Sequence, residues 1–155
     1  MGTKQELVLV DTNVFVIDLR YKRDRHFKRN KSFLSSVAQS GNGFTTIVNL
    51  LELCGILSFN LNRDQLLDLW SYFHDKYKIT VLPEPDLQSV FPSIAINRLF
   101  DFFCKKSSLG DALMMTVADK YLSFISTMVT WDKEHFKEKY TGKVLTPKEY
   151  MTEIN

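Results

Sequence analysis

Hydrophobic positions follow two periods along this chain. Residues 6–10, ELVLV, form a short apolar run that ends in the polar triplet DTN, the pattern of a buried strand whose C-terminal edge presents polar groups. Helical spacing follows at 14–19 and again from Phe27 to Gln39, where Phe33, Leu34, Val37 and Ala38 share one face. SGNG at 40–43 breaks the pattern. Phe44–Leu57 predicts a helix capped by Thr45 or Thr46, and Asn62 or Asp64 opens another that runs to Tyr77. ITVL at 79–82 predicts a second strand, stopped by PEPD at 83–86. A helix from about Pro92 to Lys106 and one beginning at Gly110 or Asp111 come next. STMVT at 126–130 predicts another strand, and KVLTP one more near the end. Strands alternating with helices imply an α/β domain of three layers, α/β/α, around a mostly parallel sheet of four to five strands, with residues 1–155 as a single domain.

Composition narrows the class. At 45% hydrophobic and 25% charged the chain is ordinary globular material, and Asn49, Glu52 and Asp119 interrupt its apolar stretches well short of the ~18 residues a membrane span needs. The N-terminus lacks the zones of a secretory signal, and Glu6 stands where a myristoylation site wants Ser or Thr, so an intracellular, cytoplasmic protein is expected. Cys54 and Cys104 lie among apolar residues and suit small buried hydrophobes. Twelve Phe, six Tyr and two Trp supply a core and an adhesive surface, which suits self-association or a protein partner.

The net charge of +2 conceals an asymmetry: residues 20–31, RYKRDRHFKRNK, hold seven Lys or Arg against one Asp, a local +6, so the remainder is at −4. A basic run interleaved with Tyr21, His26 and Phe27 fits a polyanion, because each phosphate contact releases condensed counterions. Arg20, Lys22, Arg23 and Arg25 are the candidate RNA-binding residues, with a solvated loop as the alternative.

Acids gather where ligands bind in parallel sheets, beyond the carboxyl ends of the strands. Asp11 ends the first strand, Asp132 follows the strand at 126–130, and Asp111 opens the helix leading into that strand. Glu52 sits among Val48, Leu50, Leu51, Leu53 and Ile56, so its helix is expected to bury it, with Thr45 and Asn49 as companions on a stripe aimed at Asp11. Each acid also has a plain structural reading: a helix cap for Asp11 and Asp111, a turn for Asp132, a rim position for Glu52. Carboxylates about 4 Å apart repel by roughly 4 kcal/mol per pair at an effective dielectric of 20, a conflict a cation removes. An all-oxygen donor set selects Mg²⁺ or Mn²⁺, and phosphodiester hydrolysis is the natural chemistry of such a centre.

The same residues resemble the PIN-domain ribonucleases, particularly the toxin-type members called VapC. VLVDTNVFV is similar to the opening motif and carries Asp11, TTIVNLLELCG to the second with Glu52, LGDALMMTVA to the third with Asp111, and VTWDKEHF to the last with Asp132, Thr130 and Phe136. The resemblance implies a PIN-like fold and a Mg²⁺- or Mn²⁺-dependent endoribonuclease, often a homodimer held by an antitoxin and leaving 5′-phosphate and 3′-hydroxyl ends. It further implies that Asp11, Glu52, Asp111 and Asp132 are the catalytic metal ligands, supported by Thr12, Asn13 and Thr130. Two departures stand out: Met114 and Met115 replace small residues after Asp111, and His135, read here as a surface residue, occupies the place of an acid before Phe136, with Glu134 as a possible substitute. A haloacid-dehalogenase-type phosphatase would need an acid where Asn13 stands. A PIN-like module that binds RNA or protein without cutting is the alternative.

Overall fold

The computed structural model describes residues 5–155; residues 1–4, on which part of the N-terminal leader reading falls, lie outside it. In chain order the elements are β1 (Val8–Val10), α1 (Thr12–Arg20), α2 (Phe27–Ser40), β2 (Gly43–Thr46), α3 (Ile47–Leu57), α4 (Arg63–Tyr77), β3 (Thr80–Leu82), α5 (Ile96–Cys104), α6 (Leu109–Tyr121), β4 (Thr127–Val129), α7 (Lys133–Phe136), β5 (Lys143–Leu145) and α8 (Pro147–Ile154). The five strands form one sheet in the order β3-β2-β1-β4-β5, flanked by helices, and every pairing is parallel.

The strand pattern follows from burial. Val8, Leu9 and Val10 are wholly enclosed, as expected of the central strand of a parallel sheet covered on both faces. Leu9 stands opposite Phe44 on one side and Met128 on the other. The chain moves outward from β1 through β2 to β3, then returns to lay β4 on the free side of β1, so the strand order reverses between β1 and β4. Such a reversal opens a crevice at the carboxyl ends of the strands. One core joins sheet and helices; Met114 and Met115, the bulky departure in the third motif, are both buried in it. Among the described residues no helix is long and apolar enough to cross a membrane.

Local structure departs from the sequence reading in several places. Phe44–Leu57 is not one helix: Gly43–Thr46 is a strand hydrogen-bonded to β1 and β3, and the helix starts only at Ile47. The three residues Phe44, Thr45 and Thr46 favour strands, and pairing on both sides decides the matter. The helix expected from about Pro92 is confined to Ile96–Cys104, the segment 83–95 being irregular. The helix carrying Asp111 starts at Leu109, capped by Ser108, so Asp111 lies in its first turn and does not cap it. A final helix, α8, went unread although Thr146, Pro147 and Glu149 spell a capping box with proline in the first turn. Cys54 is half-buried and its thiol is pushed up by burial, but Cys104 is exposed, contrary to the buried role expected of both.

Candidate active site

Asp11 occupies the residue after β1, where the sheet ends and α1 begins, and only 8% of it is exposed. Its Oδ1 accepts from the Thr12 amide at 2.8 Å, which caps α1, and from Asn49 Nδ2 at 3.3 Å. Its Oδ2 accepts from the Thr130 hydroxyl at 2.8 Å. The capping role and the site role are therefore the same geometry: the α1 N-terminus fixes one oxygen and the neighbouring strand's end fixes the other.

Thr130 follows β4 and is a hub. Besides donating to Asp11, its Oγ1 accepts from Asn13 Nδ2 at 3.0 Å and from the Asp132 amide at 3.0 Å, while Asn13 Oδ1 accepts from the Trp131 amide at 3.2 Å. Asn13 and Thr130 thus tie the turn carrying Asp132 to the start of α1. Asp132 itself is exposed at the site's outer edge.

Asn49 belongs to the site and was undervalued in the sequence, where it figured only as a polar companion of Glu52. Its Nδ2 donates to Asp11 and, at 2.9 Å, to Thr12 Oγ1, while its Oδ1 closes a capping box with Thr46. The available signal was a polar residue one turn before Glu52 on an apolar helix. Thr45, expected on the same stripe, instead lies in β2 and donates to the Val10 carbonyl at 2.7 Å.

Glu52 is exposed, not enclosed as its apolar neighbours suggested, because α3 leaves Leu51, Glu52 and Gly55 on an open face. Its carboxyl nevertheless reaches the start of α6: a Cβ added at Gly110 would stand 3.3 Å from Glu52 Oε2. Desolvation there raises the Glu52 pKa and the charge of Asp111 raises it further, against a lowering hydrogen bond from Thr12. The Asp11 carboxyl is pushed from 3.8 up to about 7, chiefly by burial, with Glu52 and Asp111 adding to the rise and the bonds from Thr130 and Thr12 opposing it. Three acids from three elements therefore feel one another across the crevice.

Asp111 has a partner the sequence did not disclose. His135 Nε2 lies 2.7 Å from Asp111 Oδ2, and Lys139 Nζ lies 3.3 Å from each ring nitrogen. His135 is therefore part of the site's wall, one turn into α7, and not the surface residue it was read as. Glu134 is exposed and paired with Lys137, just past the end of the same short helix, turned to another use than replacing an acid in the site.

The chemistry of the donor set suits a hard divalent cation: Asp11, Glu52 and Asp111 are oxygen donors, the charges of Glu52 and Asp111 raise the proton affinity of Asp11, that of Asp111 raises the proton affinity of Glu52, and among the described residues neither Asp11 nor Glu52 has a basic side chain as ion-pair partner. In this arrangement of side chains no three His, Cys, Asp or Glu among the described residues converge tightly enough to enclose a metal ion. The candidate RNA-binding residues are all exposed, Arg20 at the end of α1 and Lys22, Arg23 and Arg25 on the connection between α1 and α2.

No model of a known protein family and no curated protein matches the sequence. The fold, however, is similar to several solved structures. FitAcB from Neisseria gonorrhoeae matches with a TM-score of 0.58 at 17% identity, over 92% of this chain and 99% of that one. VapBC2 from Rickettsia felis, bound to a DNA fragment from its promoter, matches with a TM-score of 0.58 at 16% identity, over 90% and 98%. Mycobacterium tuberculosis VapC20, a toxin that cleaves the sarcin-ricin loop, matches with a TM-score of 0.57 at 14% identity, over 86% and 96%. At such identities the likeness is one of fold: the chain shares the α/β architecture of these structures over nearly its whole length.

Proposed function

We propose that this protein is a metal-dependent endoribonuclease of the VapC type, hydrolysing RNA phosphodiester bonds. The observation that carries the reading is that Asp11, buried and held at both oxygens at the strand-order reversal, faces the charges of Glu52 and Asp111 across the crevice. A Mg²⁺ or Mn²⁺ ion held by Asp11, Glu52, Asp111 and Asp132 would supply the activation of water and the neutralisation of charge gathering on the phosphate. The protein's own residues prepare that site. Thr12, Thr130 and Asn49 keep the Asp11 carboxylate in one orientation, so nothing reorganises there during reaction. Asn13 and Thr130 hold the Trp131–Asp132 turn against it. Exposed Asp132 and Glu52 leave the site open at its edge to a polymer. Arg20, Lys22, Arg23 and Arg25 bind its backbone. A toxin of a VapBC-type pair, with an antitoxin as partner, a homodimeric assembly and a cytoplasmic location, completes the reading; it draws support from the fold shared with FitAcB and VapBC2.

A second reading, a PIN-like module that binds RNA or protein without cutting, is favoured by one observation: the Asp111 oxygen nearest His135 is already engaged. Incubating the protein with a pool of structured and unstructured RNAs in Mg²⁺ or Mn²⁺ separates the two. Cleavage is expected, lost in EDTA and in Asp111→Asn, with 5′-phosphate and 3′-hydroxyl ends. Cyclic phosphate ends, or cutting that survives EDTA, would overturn the metal mechanism, and RNA binding without cutting by the wild type selects the second reading.

A further inference from the structure

The basic segment is physically fastened to the active site. The His26 ring stacks on Trp131, with centroids 4.1 Å apart and planes 18° from parallel. Trp131 Nε1 donates to Asn30 Oδ1 at 2.8 Å, and Asn30, fully buried in the first turns of α2, donates in turn to the Val14 carbonyl of α1 at 2.8 Å. Trp131 lies between the hub Thr130 and the acid Asp132, and its amide is held by Asn13. Arg25 Nε donates to His26 Nε2 at 3.2 Å, while among the described residues the buried His26 Nδ1 has no partner, so the stack and Arg25 orient this ring. The start of α2 is thereby set beside Asp132.

From that point unpaired positive charge continues across the surface. Lys28 and Arg29, in the first turn of α2, share a groove with Lys148 of α8, floored in part by Met151. All three cations are exposed and, among the described residues, none of them nor any other cation of residues 20–31 is in an ion pair. The acids of α8 do not neutralise the groove, because Glu149 is bound to Lys133 at 3.0 Å and Glu153 to Lys143 at 2.9 Å. Uncompensated like charge on adjacent helices is costly in the free protein and is relieved by a polyanion.

We propose that Arg25, Lys28, Arg29 and Lys148 form a track for the sugar-phosphate backbone of single-stranded RNA, running from the scissile site beside Asp132 to the groove between α2 and α8, with the His26–Trp131 stack as the joint that aligns track and site. The track rests on the reading of the protein as one that acts on RNA, and it assigns binding roles to His26, Trp131, Lys28, Arg29 and Lys148. Two of its helices carry it, so the strand is gripped on rigid elements and not by the loop alone.

The test is the salt dependence of binding, measured in EDTA by fluorescence anisotropy with a labelled unstructured 12-nucleotide RNA. Each phosphate contact on a single strand contributes about 0.7 to the slope of log affinity against log salt, so Lys28→Gln/Arg29→Gln/Lys148→Gln is expected to flatten the slope by about 2. The three positions are exposed, and circular dichroism verifies that the variant is folded. In a Trp70→Phe background, emission from Trp131 is expected to change as the RNA is added and to stop responding in His26→Ala. An unchanged slope in the triple variant overturns the track. So does equal binding of duplex DNA of the same length, or binding of polyglutamate in place of RNA, which would assign the groove to an acidic protein segment. The nuclease reading is judged separately: a flattened slope with no cleavage by the wild type removes the nuclease and keeps the track, whereas cleavage with an unchanged slope does the reverse.

Discussion

Asp11 shows how one residue can serve the fold and strain it. Its side chain caps α1, yet burial and the facing acids hold its proton to about 7. The folded value lies above the ordinary 3.8, so between about pH 4 and 7 the folded protein keeps a proton that the unfolded chain releases. Stability therefore falls as pH rises through that window, by about 4 kcal/mol in all, and stays low above it. The raised Glu52 acts with the same sign. Urea denaturation at pH 4, 5.5 and 7.5 is expected to show this decline in the wild type and a markedly shallower one in Asp11→Asn; parallel curves would remove Asp11 as its source. Asp11 is legible in the sequence from its place at a strand's end and Thr130 only through the resemblance of its motif, and the two lie together because a parallel sheet sets the ends of neighbouring strands side by side. The pairing of His135 with Asp111 was not, since 24 residues and an intervening strand separate them and nothing local announces the contact.

At the scale of elements, α3 and α6 meet where Glu52 reaches Gly110. Glycine at the second position of a helix is neither a turn nor a cap; what it does here is leave room for a carboxylate at the helix N-terminus, where the macrodipole favours negative charge. A methyl group 3.3 Å from Glu52 Oε2 pushes a flexible side chain and not backbone, while removing the entropic penalty of glycine. Gly110→Ala is accordingly expected to leave stability unchanged or raise it by up to about 1 kcal/mol, yet to weaken Mn²⁺ binding measured by calorimetry. Destabilisation by more than about 1 kcal/mol would mean that the contact is tighter than a side-chain tip can relieve. The misread boundary at Phe44–Leu57 belongs to this scale too: the residues of β2 have no helical partner to exclude and become a strand only because β1 and β3 lie on either side.

Across the whole molecule one core ties both arms of the sheet to their helices. Phe73 of α4 packs edge-on against Phe15 of α1 at 4.9 Å and tilted against Tyr77 of its own helix at 5.1 Å, so it joins α4 to the helix that Asp11 caps. Phe73→Ala is expected to cost about 3–5 kcal/mol and to shift near- and far-ultraviolet circular dichroism transitions together. Separate transitions would show two independently unfolding units. At this scale the division between sequence and structure is physical. Period and residue type determined the α/β class, the positions of most elements and the acids at the strand ends, since these depend on neighbours within a few residues. The basic segment, too, was visible as a run of charge. Its docking through His26 on Trp131, the exposure of Glu52, the engagement of Asp111 by His135 and the joining of Lys28 and Arg29 to Lys148 were decided by tertiary packing alone. The contacts among these bring together residues from elements far apart in the chain, and only closure of the sheet sets which helix faces meet and which stay open.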